Sequence, residues 1–393
     1  MKICNKCSAQ NPADAQFCYC CGQKLTTDAQ TQKQVRYCPV CGSPNDWDAR
    51  FCTNCGANLQ VQSHTGNENI LDSATRKING WTGENRKVKL NLAQLFSQVF
   101  KKHTQEEADE IFIAGTKTTT PSLQQVSTSP VTPWLYSRVL AATLLVVALL
   151  WTCSFVFENT YTLISLIFFS GFAIPVALLI FFFETNVYKN ISIFEAVKTF
   201  IIGGALSLVS TMIMYTIFGS GNFSLLGALL IGFVEETGKL LIVLYYVNKK
   251  NYSHIFNGLL VGAAVGAGFA AFENVGYVAE YGLKIAILRS FTSIGSHAIW
   301  TGILGAAIVM IKRDRKFNGE MLLDHRFINF YLLVVILHGL WDADIFNNLI
   351  KLMALTVAGW VAILVLIHAG LREIKQIQHN LTEKEANENE EMS

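Results

Sequence analysis

The chain has 393 residues, of which 51% are hydrophobic and 15% charged, with a formal net charge of +2. Soluble chains of this length carry about 25% charged residues, so the composition points to a membrane. The near-neutral balance, with basic residues scattered instead of forming one stripe, argues against nucleic-acid binding.

Residues 1–57 form a separate object. Nine of the ten cysteines lie before residue 56, and eight of them form two copies of one pattern. The first copy is Cys4, Cys7, Cys18 and Cys21; the second is Cys38, Cys41, Cys52 and Cys55. Each reads C-x2-C, ten residues, C-x2-C, and is followed by Gly22 or Gly56, where a tight turn needs a permissive backbone. Four thiolates at this spacing close a tetrahedron around zinc, and the repeat makes coincidence improbable. The segment resembles the double zinc-ribbon family. A disulfide framework is the alternative, but the charge bias described below places this end in the reducing cytosol. Two structural zinc ions are expected, each in a closed site that holds together a module too small for a hydrophobic core. Such ribbons bind a cytoplasmic partner or position the rest of the chain, and do no chemistry. Cys20 is a spectator between ligands, and Cys153 is a small apolar packing residue.

Residues 58–132 are polar and rich in Thr, Ser, Gln and Pro toward their end, which predicts a mostly flexible linker. Within it, Leu92, Leu95, Phe96, Val99 and Phe100 recur at helical spacing and predict a short amphipathic helix. That helix lies on the inner leaflet or docks on the ribbons.

From residue 133 to 372, apolar windows close to a bilayer's thickness alternate with short polar breaks. The reading is an all-α polytopic membrane domain of about eight spans, at 135–157, 161–184, 195–218, 223–247, 253–280, 286–311, 327–346 and 352–371. A charged tail, 373–393, follows. A β-barrel would show alternation with period two, which is missing. One set of loops holds Lys189, Lys249, Lys250, Lys312, Arg313, Arg315 and Lys316, with Arg138 and Arg372 at the outer ends; the opposite set holds Lys284 and Lys351. Positive loops stay cytoplasmic, so both termini are expected in the cytoplasm of a plasma-membrane protein. The N-terminus opens on a cysteine motif, so no cleavable leader is expected and the first span acts as a signal anchor.

Four of these spans carry ionisable residues, each costing about 2.5–3.5 kcal/mol at bilayer depth. The fourth contains Glu235, Glu236 and Lys239, the fifth Glu273 and Tyr277, the sixth His297, and the seventh His338 and Asp342. Lys239 is one turn from Glu235 and reaches either carboxylate. Asp342, one turn from His338, is placed to orient its ring. Gly258, Gly262 and Gly266 make a small-residue ridge for close helix packing. Counted from the span centres, Glu235, His297 and His338 fall within about 3 Å of the midplane, while Glu273 and Asp342 lie about 9–10 Å further outward. An isolated buried ion pair or histidine is as often structural as functional; together these residues point to a site.

The elements EETGK, FENVGY, an intramembrane histidine and HGLWD, in this order, resemble the PrsW family of intramembrane proteases, related to the CAAX prenyl proteases. The resemblance extends over about residues 135–372. It implies hydrolysis of peptide bonds in membrane-anchored proteins, with anti-sigma-factor cleavage as one family activity. Glu235 and Glu236, adjacent carboxylates that cannot both be ionised cheaply, suit a catalytic base and acid; by resemblance, Glu235 is the base that activates water and Glu236 stands in support. His297 holds that water, and His338 donates to the oxyanion or the leaving amine. Lys239, Glu273, Tyr277 and Asp342 support them. Glu235, His297 and His338 equally suit a catalytic zinc with an open position, so the glutamate and metal mechanisms both stand at this point, with the absence of an HExxH helix favouring the former. A proton or ion transporter is a further reading of the same buried charges, but the spans show no internal repeat. A silent scaffold leaves those charges unexplained.

Overall fold

The computed structural model describes residues 2–3, 9–12, 15–23, 35–37, 44–46, 49–50, 53, 69–345 and 348–391. They fall into two units, Met1–Asn67 and Glu68–Ser393.

In the first unit, β1 (Lys2–Ile3) pairs antiparallel with β2 (Gln10–Asn11), and β3 (Val35–Tyr37) pairs antiparallel with β4 (Pro44–Asp46). The repeat read from the cysteines extends to an asparagine in each copy. Buried Asn11 accepts from the Tyr19 amide at 3.0 Å, and buried Asn45 accepts from the Thr53 amide at 2.8 Å. Tyr19 and Thr53 each lie, in sequence, between the two cysteines of the second pair of their copy. Asn11 Nδ2 also lies 3.6 Å from the Sγ of buried Cys18, a donor aimed at one of the expected ligands. Gly22 has φ +70°, the turn its position requires. Cys18 and Cys21 are described; Cys4, Cys7, Cys38, Cys41, Cys52, Cys55 and Gly56 lie outside the described residues.

The second unit begins with an ordered collar where composition predicts a flexible linker. It holds α1 (Ile70–Trp81), α2 (Leu92–Leu95) and α3 (Gln105–Phe112), the last with a Thr104–Glu107 capping box. The amphipathic helix expected to reach Phe100 stops at Leu95, and Phe100 is exposed. Composition misleads here because the polar groups find partners far away in the chain. Gly115 N donates to Lys189 O at 2.8 Å, Gln378 Nε2 to Val126 O at 2.9 Å, and Trp81 meets Phe330 edge-on at 5.1 Å.

Arg372 completes the collar by binding Glu84 and the Thr82 carbonyl. Half-burial alone would raise the Glu84 pKa, but the charge and hydrogen bonds of Arg372 outweigh it and hold the carboxyl below its ordinary value. A depressed carboxylate pKa gives stability that is present at neutral pH and is lost as pH falls through the folded-state value. Glu84→Gln is therefore expected to lower the thermal midpoint of detergent-solubilised protein at pH 7, with the deficit shrinking toward pH 4. A deficit independent of pH would show that packing, not the ion pair, holds the collar.

The bundle comprises α4 (Leu135–Phe155), α5 (Thr160–Thr185), α6 (Ile193–Lys198), α7 (Gly204–Phe218), α8 (Leu225–Lys249), α9 (Ile255–Tyr281), α10 (Ala286–Thr292), α11 (His297–Lys312), α12 (His325–Asp342) and α13 (Asn348–Glu391). The α4 N-terminus has no side-chain cap of its own. Glu184 of α5 supplies it, accepting from the Trp134, Leu135 and Tyr136 amides at 2.8–2.9 Å.

Six helical runs among the described residues are long and apolar enough to cross a membrane: Leu135–Phe155, Thr160–Thr185, Ile193–Phe218, Ile255–Tyr281, Leu283–Lys312 and Leu349–Asn389. The expected count of eight is therefore not reproduced on length and apolarity. The two bundle helices outside the set, α8 and α12, are those that hold Glu235, Glu236, Lys239, His338 and Asp342, with His325, Arg326 and Asn329 also on α12. Two further expectations change. The span 286–311 is broken, because a 3-10 turn, Ser293–Gly295, separates α10 from α11 and His297 opens the second helix. The charged tail is not a separate segment, because α13 runs on through Glu391.

The centre of the bundle is α9, whose contact with α11 follows the glycine ridge. A Cβ on Gly258 would lie 2.3 Å from Gly305 O, on Gly262 2.2 Å from Thr301 O, and on Gly266 2.2 Å from His297 O. Only hydrogen fits at these three crossings. The same rule seats α8 against α12, where a Cβ on Gly232 would lie 2.9 Å from Val335 O.

Candidate active site

These contacts bring four helices together around one cavity. Helix α8 presents Glu235, Glu236 and Lys239 on adjoining faces, because spacings of three and four residues return to the same side of a helix. Lys239 is fully buried, and its Nζ lies 3.0 Å from Glu235 Oε2, 2.9 Å from Glu236 Oε1 and 2.9 Å from His297 Nδ1. An ammonium has three donors and no acceptor, so His297 Nδ1 must accept. The ring proton then sits on Nε2 and donates to Glu273 Oε2 at 2.9 Å.

Glu273 accepts a second bond on the same oxygen, from Arg289 Nη2 at 2.5 Å. Arg289 Nε donates to Asn274 Oδ1 at 3.2 Å, and Asn274 Nδ2 donates to Ser293 Oγ at 2.7 Å. This chain of bonds fixes the break between α10 and α11 against α9, which is how a discontinuous backbone is satisfied inside a bundle.

On the opposite wall, His338 Nδ1 donates to Glu236 Oε1 at 2.8 Å, and its Nε2 lies 3.3 Å from Asp342 Oδ2 and 3.7 Å from Glu235 Oε2. Trp300 stacks on the His338 ring with centroids 4.6 Å apart. Tyr215 donates to Glu235 Oε1 at 3.2 Å.

Glu235, Glu273, Tyr277, Arg289, His297, His338 and Asp342 line a cavity of about 140 Å³, with room for water. Glu236, paired with Glu235 as a catalytic carboxylate on adjacency in sequence, is fully buried and stands behind this wall, as does Lys239. Tyr277 is set against Arg289, 4.0 Å from ring to guanidinium. Sequence reasoning missed Arg289, Asn274, Tyr215 and Trp300. Two of them left a trace: Asn274 stands inside the FENVGY element, and Arg289 inside the apolar run 286–311, where its cost called for a partner.

A buried carboxylate on a cavity wall, with two imidazoles beside it inside an apolar helix bundle, is an arrangement suited to hydrolysis within a membrane. Residues 193–369 match the profile of the PrsW family of intramembrane metalloproteases, and residues 4–56 that of the double zinc ribbon. The chain is 29% identical over 178 residues to Protease PrsW of Halalkalibacterium halodurans, covering 44% of this chain and 80% of that protein. It is 29% identical over 141 residues to Protease PrsW of Bacillus subtilis, covering 35% and 64%, and 26% identical over 181 residues to that of Geobacillus kaustophilus, covering 44% and 76%. No solved structure matches the chain significantly. Residues 193–369 thus carry a PrsW-type peptidase domain, and residues 4–56 a double zinc ribbon. The matched stretch starts at α6, so α4 and α5 lie outside it although the motif-based resemblance was drawn from residue 135.

Proposed function

We propose that the chain cleaves membrane-anchored proteins by a glutamate-activated water, in a plasma membrane with both termini cytoplasmic, as part of signalling or stress-response proteolysis of the anti-sigma-factor type. The observation that carries this reading is the Glu235 carboxylate on the cavity wall, with His338 Nε2 3.7 Å from its Oε2. Glu235 takes a proton from water as the oxygen attacks the peptide carbonyl. A proton on His338 Nε2, held between Glu235 and Asp342, passes to the departing nitrogen or stabilises the oxyanion. Both His297 nitrogens are engaged by Lys239 and Glu273. His297 therefore orders the wall instead of holding the water assigned to it by resemblance. The ribbons take two zinc ions and dock a cytoplasmic partner.

The test is cleavage of a reporter in two forms, one membrane-anchored and one soluble, by the full chain reconstituted in liposomes. The anchored form is expected to be cut and the soluble form spared. His338→Ala is expected to reduce cleavage by about 10²-fold or more while leaving expression and insertion intact. Equal cleavage by His338→Ala would remove the acid from this mechanism, and cleavage of the soluble form alone would remove the membrane from the substrate.

A further inference from the structure

The family's description names a metal, and the donors for one are present: Glu235, His297 and His338 each bring one ligand atom, all within 4.8 Å of one another. A carboxylate and two imidazoles with an open fourth position is a zinc donor set. Yet another cation already holds part of it. The Lys239 ammonium bonds Glu235 Oε2 and His297 Nδ1, and its third proton is taken by Glu236. Zinc binds oxygen and nitrogen donors at about 2.0–2.2 Å, so a zinc ion sharing those two atoms would be crowded against Nζ, with like charge and no room between.

We propose that Lys239 is the resident cation of this site, and that its ammonium keeps divalent metal out of the Glu235, His297 and His338 donor set. The inference rests on the glutamate reading above and supplies the cation that reading lacks. Three observations place the ammonium there by construction. Helix α8 itself carries two of its three partners, at spacings of three and four residues. The side chain is fully buried. The Phe269 ring centroid lies 3.8 Å from Nζ, a cation–π contact that adds to these ion pairs. The ammonium also does for His297 what a metal does for a ligating imidazole. It engages the Nδ1 lone pair and thereby fixes the proton on Nε2, toward Glu273. Lys239 is thus a positioning residue, acting through Glu235 and His297.

Taking the ammonium away frees Glu235 Oε2 and the His297 Nδ1 lone pair beside His338, and the three become a zinc site. The test is zinc per chain, measured by mass spectrometry on the purified full chain after exposure to excess zinc and desalting, with the ribbons as an internal count. Wild type and Lys239→Arg are expected to hold the ribbon zinc alone. Lys239→Ala is expected to hold one ion more, and the Lys239→Ala/His338→Ala double variant to lose it again. Lys239→Gln, which keeps a hydrogen-bonding head without charge, serves if the alanine variant folds poorly, with the same extra ion expected. Failure of both neutral variants to fold even with zinc supplied during expression counts against the proposal, since a metal able to occupy the site would restore the missing charge. An extra ion in wild type, lost with His338→Ala, overturns the proposal while leaving the peptidase reading intact if Glu235→Gln still abolishes cleavage. Conversely, ribbon zinc alone in wild type together with no reporter cleavage overturns the glutamate reading and leaves the metal exclusion standing.

Discussion

Glu235→Gln is expected to cut reporter hydrolysis by about 10²- to 10⁴-fold, the range general-base participation typically supplies, with expression, insertion and zinc content unchanged. The substitution removes the base without changing side-chain volume. The amide oxygen can still accept from Tyr215, and Lys239 retains Glu236 and His297 as partners. Glu236→Gln is the informative companion, because Glu236 holds Lys239 and His338 from behind the cavity. Its loss leaves a fully buried ammonium short of one counter-charge, so its main effect should be on the thermal midpoint. Normal cleavage by Glu235→Gln, combined with inactive but stable Glu236→Gln, would exchange the two roles. Cleavage unaffected by either change would place the chemistry elsewhere.

Gly262→Leu is expected to abolish the folded membrane domain. Its Cβ would lie 2.2 Å from Thr301 O and 3.0 Å from Gly302 Cα, both backbone atoms that move only if α9 and α11 separate. Overpacking of this kind typically costs about 1–3 kcal/mol and more where backbone must shift, against a total stability of about 5–15 kcal/mol. Separation of the helices would also pull Glu273 from His297, so any surviving protein should cleave poorly. Gly276, on the same helix, is the control: a Cβ there meets nothing within 4 Å. Gly276→Ala should be neutral or stabilising by up to about 1 kcal/mol through helix propensity. Thermal midpoints in detergent, with size-exclusion profiles, separate the two cases. A wild-type midpoint for Gly262→Leu would mean that the ridge is not a tight crossing.

The readings that held are those whose geometry is local. Lys239 reaches both glutamates, and His338 meets Asp342 at 3.3 Å, because the helical repeat alone places residues three and four apart on one face. The glycine ridge was equally legible, since a small residue every fourth position makes a groove whatever packs into it. Counting from span centres also brought Glu235, His297 and His338 to one depth, and their ligand atoms do meet. It did so for His297 on a mistaken premise, an unbroken helix over 286–311, and it set Glu273 too far outward to touch the imidazole it binds. Depth along an axis omits the reach of a side chain and any interruption in the axis.

What composition and spacing determined by themselves was a helical membrane domain, the cysteine repeat and the roster of costly residues, all of which depend on properties of single segments. Tertiary structure decided which carboxylate faces water. Glu235 and Glu236 are sequence neighbours about 100° apart on α8, and only the positions of α9, α11 and α12 put one on the cavity and the other behind it. It also decided that Arg289 belongs to the site, since its partners Glu273 and Asn274 lie on another helix. The collar is the same case at larger scale: its polar residues look unable to order themselves, and they are ordered by Lys189, Arg372 and Gln378, supplied from the bundle. A segment's own residues set its period and its cost in the membrane, but partners contributed by distant segments are fixed only when helices pack.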